Sequence, residues 1–293
     1  MRIIISIGLL VLSLGASGQA GKKPVQPADN PQKQESSLKV LRRAPESYMV
    51  WQVKHLSEFV ARFNYERLPN GQPFTDSSRR VYPREQYVRM LFNEDDPRFR
   101  KNKSAAATFY TLQVEEFINA VTEQRIKIPA QASLEAIAKI RVTYNNQPDT
   151  LTVRLKKFYT TDSASYWQVI QIQRPHLLRD TLRSACPDSI KRLDFPPNAH
   201  EVSFLPLLRG LNDYKSFCSF TSPAVHPSTD WQRTEAAFQK GLLQAEAVVS
   251  TTIYVPVGTE WLLELNEFVR EKDNSGWLIT NLIHRSPKTQ PTK

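Results

Sequence analysis

Glycine is scarce in this chain of 293 residues: there are nine, and four of them (Gly8, Gly15, Gly18, Gly21) fall within the first 21 positions. The other five are scattered, which excludes a glycine-rich loop that cradles phosphates. Cysteine is rarer still, with two in the whole sequence. The five histidines (His55, His176, His200, His226, His284) stand apart, with no HxH, HExxH or cysteine companion, so the usual zinc ligand sets are missing. His55 and Glu58, three apart, read as a surface hydrogen bond rather than a two-ligand site. No Gly-x-Ser-x-Gly elbow and no Walker loop occurs, which removes the serine-hydrolase and nucleotide-enzyme readings. Beyond residue 20 no apolar run is long enough to span a bilayer.

What is present begins at the N-terminus. Met1-Arg2 is followed by an apolar run from Ile3 to Leu14 and then by small residues up to Ala20. That order predicts a secretory signal peptide over 1–20, with Gly18 and Ala20 in the small-residue positions before cleavage. The run spans about 18 Å as a helix at ~1.5 Å per residue, short of the ~30 Å hydrocarbon core, which argues against a membrane anchor. The expected location is therefore periplasmic or extracellular. In an oxidising space Cys186 and Cys218 are expected to pair, closing a loop of roughly 33 residues worth about 3–4 kcal/mol; two buried thiols are the alternative. Pro187 follows Cys186, and neither cysteine has a histidine nearby in sequence, so a catalytic thiol is not expected.

The composition, 40% hydrophobic and 23% charged, is that of a folded chain. Residues 21–45, rich in Gln, Lys and Pro, read as a disordered tether, and 286–293 as a disordered tail. Between them one pattern occurs twice, over 46–178 and 195–285, joined by a linker at 179–194. The first copy opens with helical spacing over Glu46–Asn64 (Val53, Leu56, Val60, Phe63), a helix from Pro83, and a segment Ala105–Glu123 expected to be helical in its second half. Period-two alternation then predicts three strands: Ile137–Tyr144, Leu151–Phe158 and Tyr166–Ile172. The second copy shows helical spacing in Val202–Phe217 and Asp230–Ala247, capped at Thr229 or Asp230. Strands follow at Val248–Val257, Glu260–Arg270 and Trp277–His284. The last strands echo each other: Ser165-Tyr166-Trp167 and Ser275-Gly276-Trp277 both place a small polar residue two before a Trp.

Helices first, long antiparallel strands last and a Trp-led final strand together resemble the nuclear transport factor 2-like (cystatin-like) superfamily, in two tandem copies over 46–174 and 199–285. The resemblance implies an α+β fold: two cone-like domains, each with helices packed on a curved antiparallel sheet and a pocket open at one end. The second copy is short for such a cone, so a helix is missing or the cone incomplete. Some members of that class are isomerases or dehydratases, while many only bind ligands or partners. None of their catalytic constellations is matched here. Tyr65, Tyr87, Asp95 and Asp96 are the nearest polar candidates, and Asp95-Asp96-Pro97 reads better as a turn.

The expected function is thus an exported, non-catalytic interaction or scaffold protein of the cell envelope that binds a protein partner and needs no cofactor or metal. The alternative is a small-ligand binder or acid–base enzyme using the pocket of the first cone. A weaker one is binding of an anionic or sugar polymer through a basic segment. That segment runs from 79 to 103, where Arg79, Arg80, Arg84, Arg89, Arg98, Arg100, Lys101 and Lys103 face four acidic residues. Trp51, off the apolar face of the first helix, is a further candidate for partner contact. The formal net charge of +10 does not point to nucleic acid in an exported chain. It sits in the tether and first copy, since 195–285 has 7 basic against 10 acidic residues.

Overall fold

In the computed structural model the described residues are 52–53, 55–68, 70–99, 105–160, 165–178, 205–213, 218–269 and 275–285. The expected leader, tether, linker and tail lie outside them. The elements in order are β1 (Gln52–Val53), α1 (Leu56–Phe63), α2 (Asp76–Val81), α3 (Arg84–Arg89), a 3-10 turn (Pro97–Phe99) and α4 (Ala105–Glu123). Then come β2 (Glu135–Tyr144), β3 (Gln147–Tyr159), β4 (Ser165–Gln173) and α5 (Leu205–Asn212). A second 3-10 turn (Pro223–Val225), α6 (Thr229–Gln239), β5 (Leu243–Val257), β6 (Trp261–Phe268) and β7 (Ser275–His284) follow among the described residues.

The class is α+β, with all seven strands in one sheet of order β1-β7-β6-β5-β2-β3-β4. The two three-stranded meanders meet at their first strands, β2 and β5, which pair antiparallel over their length. Only the two-residue β1 is parallel to its neighbour, β7. Alternation decides which side chains the sheet buries. On β2, Ala136, Ala138, Ile140 and Val142 are fully buried, whereas Lys139 and Arg141 on the other face are exposed. The strands on both sides of the expected 179–194 linker thus belong to a single sheet over one buried core.

The repeats correspond bond for bond. Asn64, after α1, donates to Ile128 O and accepts from Ile128 N at 2.9 and 2.8 Å. Asn212, at the end of α5, does the same to Ala245 at 2.8 and 2.9 Å. Two residues past its Trp, each last strand is flanked by a parallel segment from the other repeat. Ile279 N donates to Leu91 O (2.8 Å) and Asn93 N to Ile279 O (3.1 Å); Val169 N donates to Phe220 O (3.1 Å) and Ser222 N to Val169 O (2.8 Å). A 3-10 turn, a long helix and a left-handed residue then follow in both, Arg125 at φ 52° and Gly241 at φ 68°.

Helices of each half also reach strands of the other, while Leu205–Asn212 packs on β5 of its own half. From α4, Tyr110 and Gln113 donate to the β7 carbonyls of Thr280 and Leu282. Phe117 touches the rings of Phe63, Phe92 and, at 5.3 Å between centroids, Trp261 of β6. In return α6 packs on β4 as well as on β5. This departs from the expectation of two cones that each close over their own helices.

Four local expectations are corrected. The first helix starts at Leu56, not Glu46, because Gln52-Val53 pairs with Ser275-Gly276 as a strand. α4 is helical throughout, since Ala105, Ala106 and Ala107 are the strongest helix formers. The cap of α6 is Ser228, whose Oγ accepts from Trp231 N at 3.1 Å. That helix ends at Gln239, and the strand after it begins at Leu243 rather than Val248. Gly241 turns the chain there, and Leu243 and Ala245 are buried while Gln244 and Glu246 are exposed, a period of two.

Candidate functional site

The candidate surface is built on the stretch between α1 and the Leu91–Asn93 segment, for which the second repeat has only residues 213–219. Thr75 caps α2 in a reciprocal box with Ser78. Pro83 precedes α3, where a missing N–H does no harm. Tyr87 and Val88 anchor α3 in the core, and the Tyr87 hydroxyl donates to Arg67 O at 2.6 Å. Burial pushes that phenol well above the ordinary tyrosine range.

Between α3, the Pro97–Phe99 turn and α4 lies an open cleft of about 420 Å³. Met90, Phe92, Phe99 and Val114 form its apolar walls, and Gln86, Arg89 and Glu94 its polar rim. Arg89 grips Glu115 of α4 with two bonds of 2.6 Å and reaches Glu85 at 3.4 Å. The hydrogen bond to Glu115 is the main cause of a raised Arg89 pKa, and the bond from Arg89 the main cause of a lowered Glu115. Both side chains are 42% exposed, so solvent screens the pair and its worth is about 1 kcal/mol or less. Further along α4, Phe109 and Leu112 are 69% and 64% exposed.

Of the eight basic residues expected as a binding strip, the structure places five. Arg79 is exposed, with its guanidinium 5.0 Å from the Tyr65 ring and 5.5 Å from Phe74. Arg80 is exposed as well. Arg84 donates to Ile126 O at 2.5 Å, and Arg89 is held by Glu115. Arg98 is a tie bar: it grips Asp96, donates to Thr280 O and lies 3.6 Å over the Tyr110 ring. Burial works to raise the Asp96 carboxyl, but the hydrogen bonds and charge of Arg98 bring it below the ordinary value. Burial lifts the Tyr110 phenol to about 12. Of these five, Arg84, Arg89 and Arg98 are bonded to other parts of the fold, whereas Arg79 and Arg80 are exposed. Arg100, Lys101, Lys103 and Trp51 lie outside the described residues.

Tyr65 and Tyr87 come together in an aromatic cluster with Phe74 and Tyr82 rather than as an acid–base pair. Cys218 is buried and disulfide-bonded; the sequence's other cysteine, Cys186, lies outside the described residues. Among the described residues no group of three or more His, Cys, Asp or Glu is placed to hold a metal ion. No helix among them is long and apolar enough to cross a membrane. The cleft itself was not legible in sequence. Its walls come from three elements, and only the apolar Met90–Phe92 run beside a short helix hinted at it. No family model, curated protein or solved structure matches the chain.

Proposed function

We propose that this chain is an exported, non-catalytic binding protein of the cell envelope that seats an apolar side chain of a protein partner in the α3–α4 cleft. The carrying observation is the cleft: open, walled by Met90, Phe92, Phe99 and Val114, and continued along α4 by exposed Phe109 and Leu112. Buried apolar anchors within a polar rim are what hold partners together. The leader and a disulfide at Cys218 support export. A filled interior supports a role in binding rather than catalysis. Phe59, Phe63, Phe92 and Phe117 occupy the space between helices and strands, and the carboxylate of Glu115 is committed to Arg89. The nuclear transport factor 2-like reading accompanies this proposal, on element order and the Trp-led last strands, with helices of each half also reaching strands of the other.

A small apolar ligand is the second reading, because about 420 Å³ lies in the range of small-molecule sites. One experiment separates the two. A partner isolated from envelope extract and then purified should bind the wild-type protein stoichiometrically. Met90→Glu and Phe109→Asp/Leu112→Asp should each weaken it tenfold or more, about 1.4 kcal/mol, with unchanged unfolding midpoints. Equal affinity for all variants would remove the proposal. A small molecule released from the native protein on denaturation, and lost in Met90→Glu, would establish the second reading instead.

A further inference from the structure

A different part of the same segment carries a second, independent inference. We infer that the tip formed by Arg79, Arg80, Val81 and Tyr82, with Arg67 and Arg84 beside it, docks on a membrane surface of anionic phospholipid headgroups. The sequence there is Arg79-Arg80-Val81-Tyr82-Pro83-Arg84. Val81 is 67% exposed at the end of α2, between two arginines and a half-buried tyrosine.

The tip is rigid for reasons visible in its contacts. Tyr65, held at φ 61°, lies tilted against Phe74 with 4.0 Å between ring centroids and donates through its hydroxyl to Tyr82 O. Arg79 lies across both rings, so its guanidinium is held in place and loses little freedom on meeting a phosphate. Tyr87 fastens Arg67 from below, and Arg67 bridges to Pro73. Arg84 is near enough to Tyr65 and to Arg125 to act on them electrostatically. Among the described residues no carboxylate pairs with Arg67, Arg79, Arg80 or Arg125. Nearby, Glu66 is engaged by Lys127 and Glu85 by Arg89, leaving Asp76 as the remaining acidic residue of this segment.

The composition of the tip selects the occupant. A soluble acidic polymer would be read by the arginines alone, because the ring faces are covered by Arg79 and by one another, and it would gain nothing from Val81. At a bilayer all three kinds of side chain find a place. The guanidinium groups sit among the phosphates, the tyrosine at headgroup level, and the valine just beyond them.

The test is co-sedimentation of the full chain with phosphatidylcholine vesicles, with and without phosphatidylglycerol. The N-terminal apolar stretch and the tether are identical in every variant, so differences report on the tip. Arg79→Glu/Arg80→Glu should lower the phosphatidylglycerol-dependent partition about tenfold or more, as expected for removing and reversing two surface cations. Val81→Asp should lower it several-fold, most clearly at high salt, where charge is screened and the apolar contact remains. Lys139→Glu/Arg209→Glu, which makes the same charge change at exposed positions elsewhere, should leave it unchanged. Arg80→Glu alone stands in if the double variant unfolds, since Arg80 has no bond to lose. An equal loss in the Lys139/Arg209 control, or no dependence on phosphatidylglycerol, would overturn the inference. So would retention of vesicle binding by variants that lose binding to polygalacturonate, which would assign the tip to an acidic polysaccharide.

Discussion

The two repeats share a framework and differ in one loop. Between Asn64 and Leu91 the first repeat runs through residues 65–90, with two short helices, an aromatic cluster and five arginines. Between Asn212 and Phe220 the second uses only residues 213–219. The asparagine clamps, the flanking segments at Ile279 and Val169, and the Trp-led last strands are common to both. What both keep holds the molecule together. The segment unique to one carries the surface features with no structural duty: an open cleft wall, an exposed valine and unpaired arginines. On the proposed reading, the shared part is the scaffold and this segment the part that meets a partner.

The most drastic way to break this comparison is to cut it. If the helices of each repeat cover strands of the other, neither 1–178 nor 179–293 folds alone. Produced together they should associate and recover the far-UV circular dichroism of the intact chain. Two independently folded fragments would show that the exchange is not needed for stability. Next in size are the paired tryptophans. Trp167 and Trp277 are each 1% exposed or less, so either one changed to Ala should cost about 3–5 kcal/mol in urea unfolding. A difference above about 2 kcal/mol between them would mean the strands they lead are not equivalent.

The clamps should show graded loss. Asn64 is buried, and Asn64→Ala strands the N–H and C=O of Ile128, at about 2 kcal/mol. Asn212 is exposed, so water replaces much of its bond to Ala245 and the same change should cost about 1 kcal/mol or less. An effect of similar size concerns Asp96, which ties the first repeat to β7 through Arg98. Its carboxyl pKa is lower in the folded than in the unfolded chain. Its contribution is present above the unfolded value and lost as the pH falls through the folded one. Asp96→Asn should therefore cost about 1 kcal/mol near neutrality, and the gap to wild type should close under acid. A gap independent of pH would assign Asp96 a packing role.

Gly210 shows how the repeats diverge inside the shared part. Aligned on the asparagines it matches Arg62, which is buried and bonded to Glu58 at 2.9 Å. At Gly210 a Cβ would lie 2.2 Å from the Phe220 ring, so only glycine admits that ring. The glycine at 210 is thereby explained by a ring of its own repeat, 10 residues further along the chain.

Much of the framework was readable from local pattern. Alternation located all six long strands, with β5 starting five residues earlier than expected, and Pro83 placed the start of α3. The Trp echo pointed to strands β4 and β7, which both carry a parallel segment two residues past the Trp. These signals survive because period and turn chemistry act within a few residues. The site was less legible. Basic residues cluster from 79 to 103 in sequence, yet Arg84, Arg89 and Arg98 are bonded to Ile126, Glu115 and Asp96. Whether an arginine faces water depends on partners up to 42 residues away for Arg84 and 26 for Arg89.

The sequence by itself determined that the chain is α+β, where its long strands run, and that it lacks the motifs of the common enzyme classes. Composition and spacing fix these because they are properties of short stretches. Tertiary structure alone decided that the two halves share a sheet, reach each other's strands with their helices and open a cleft. Strand partners and helix docking are chosen by long-range burial, and Phe117 reaches Trp261 for the same apolar reward it would find on its own strands.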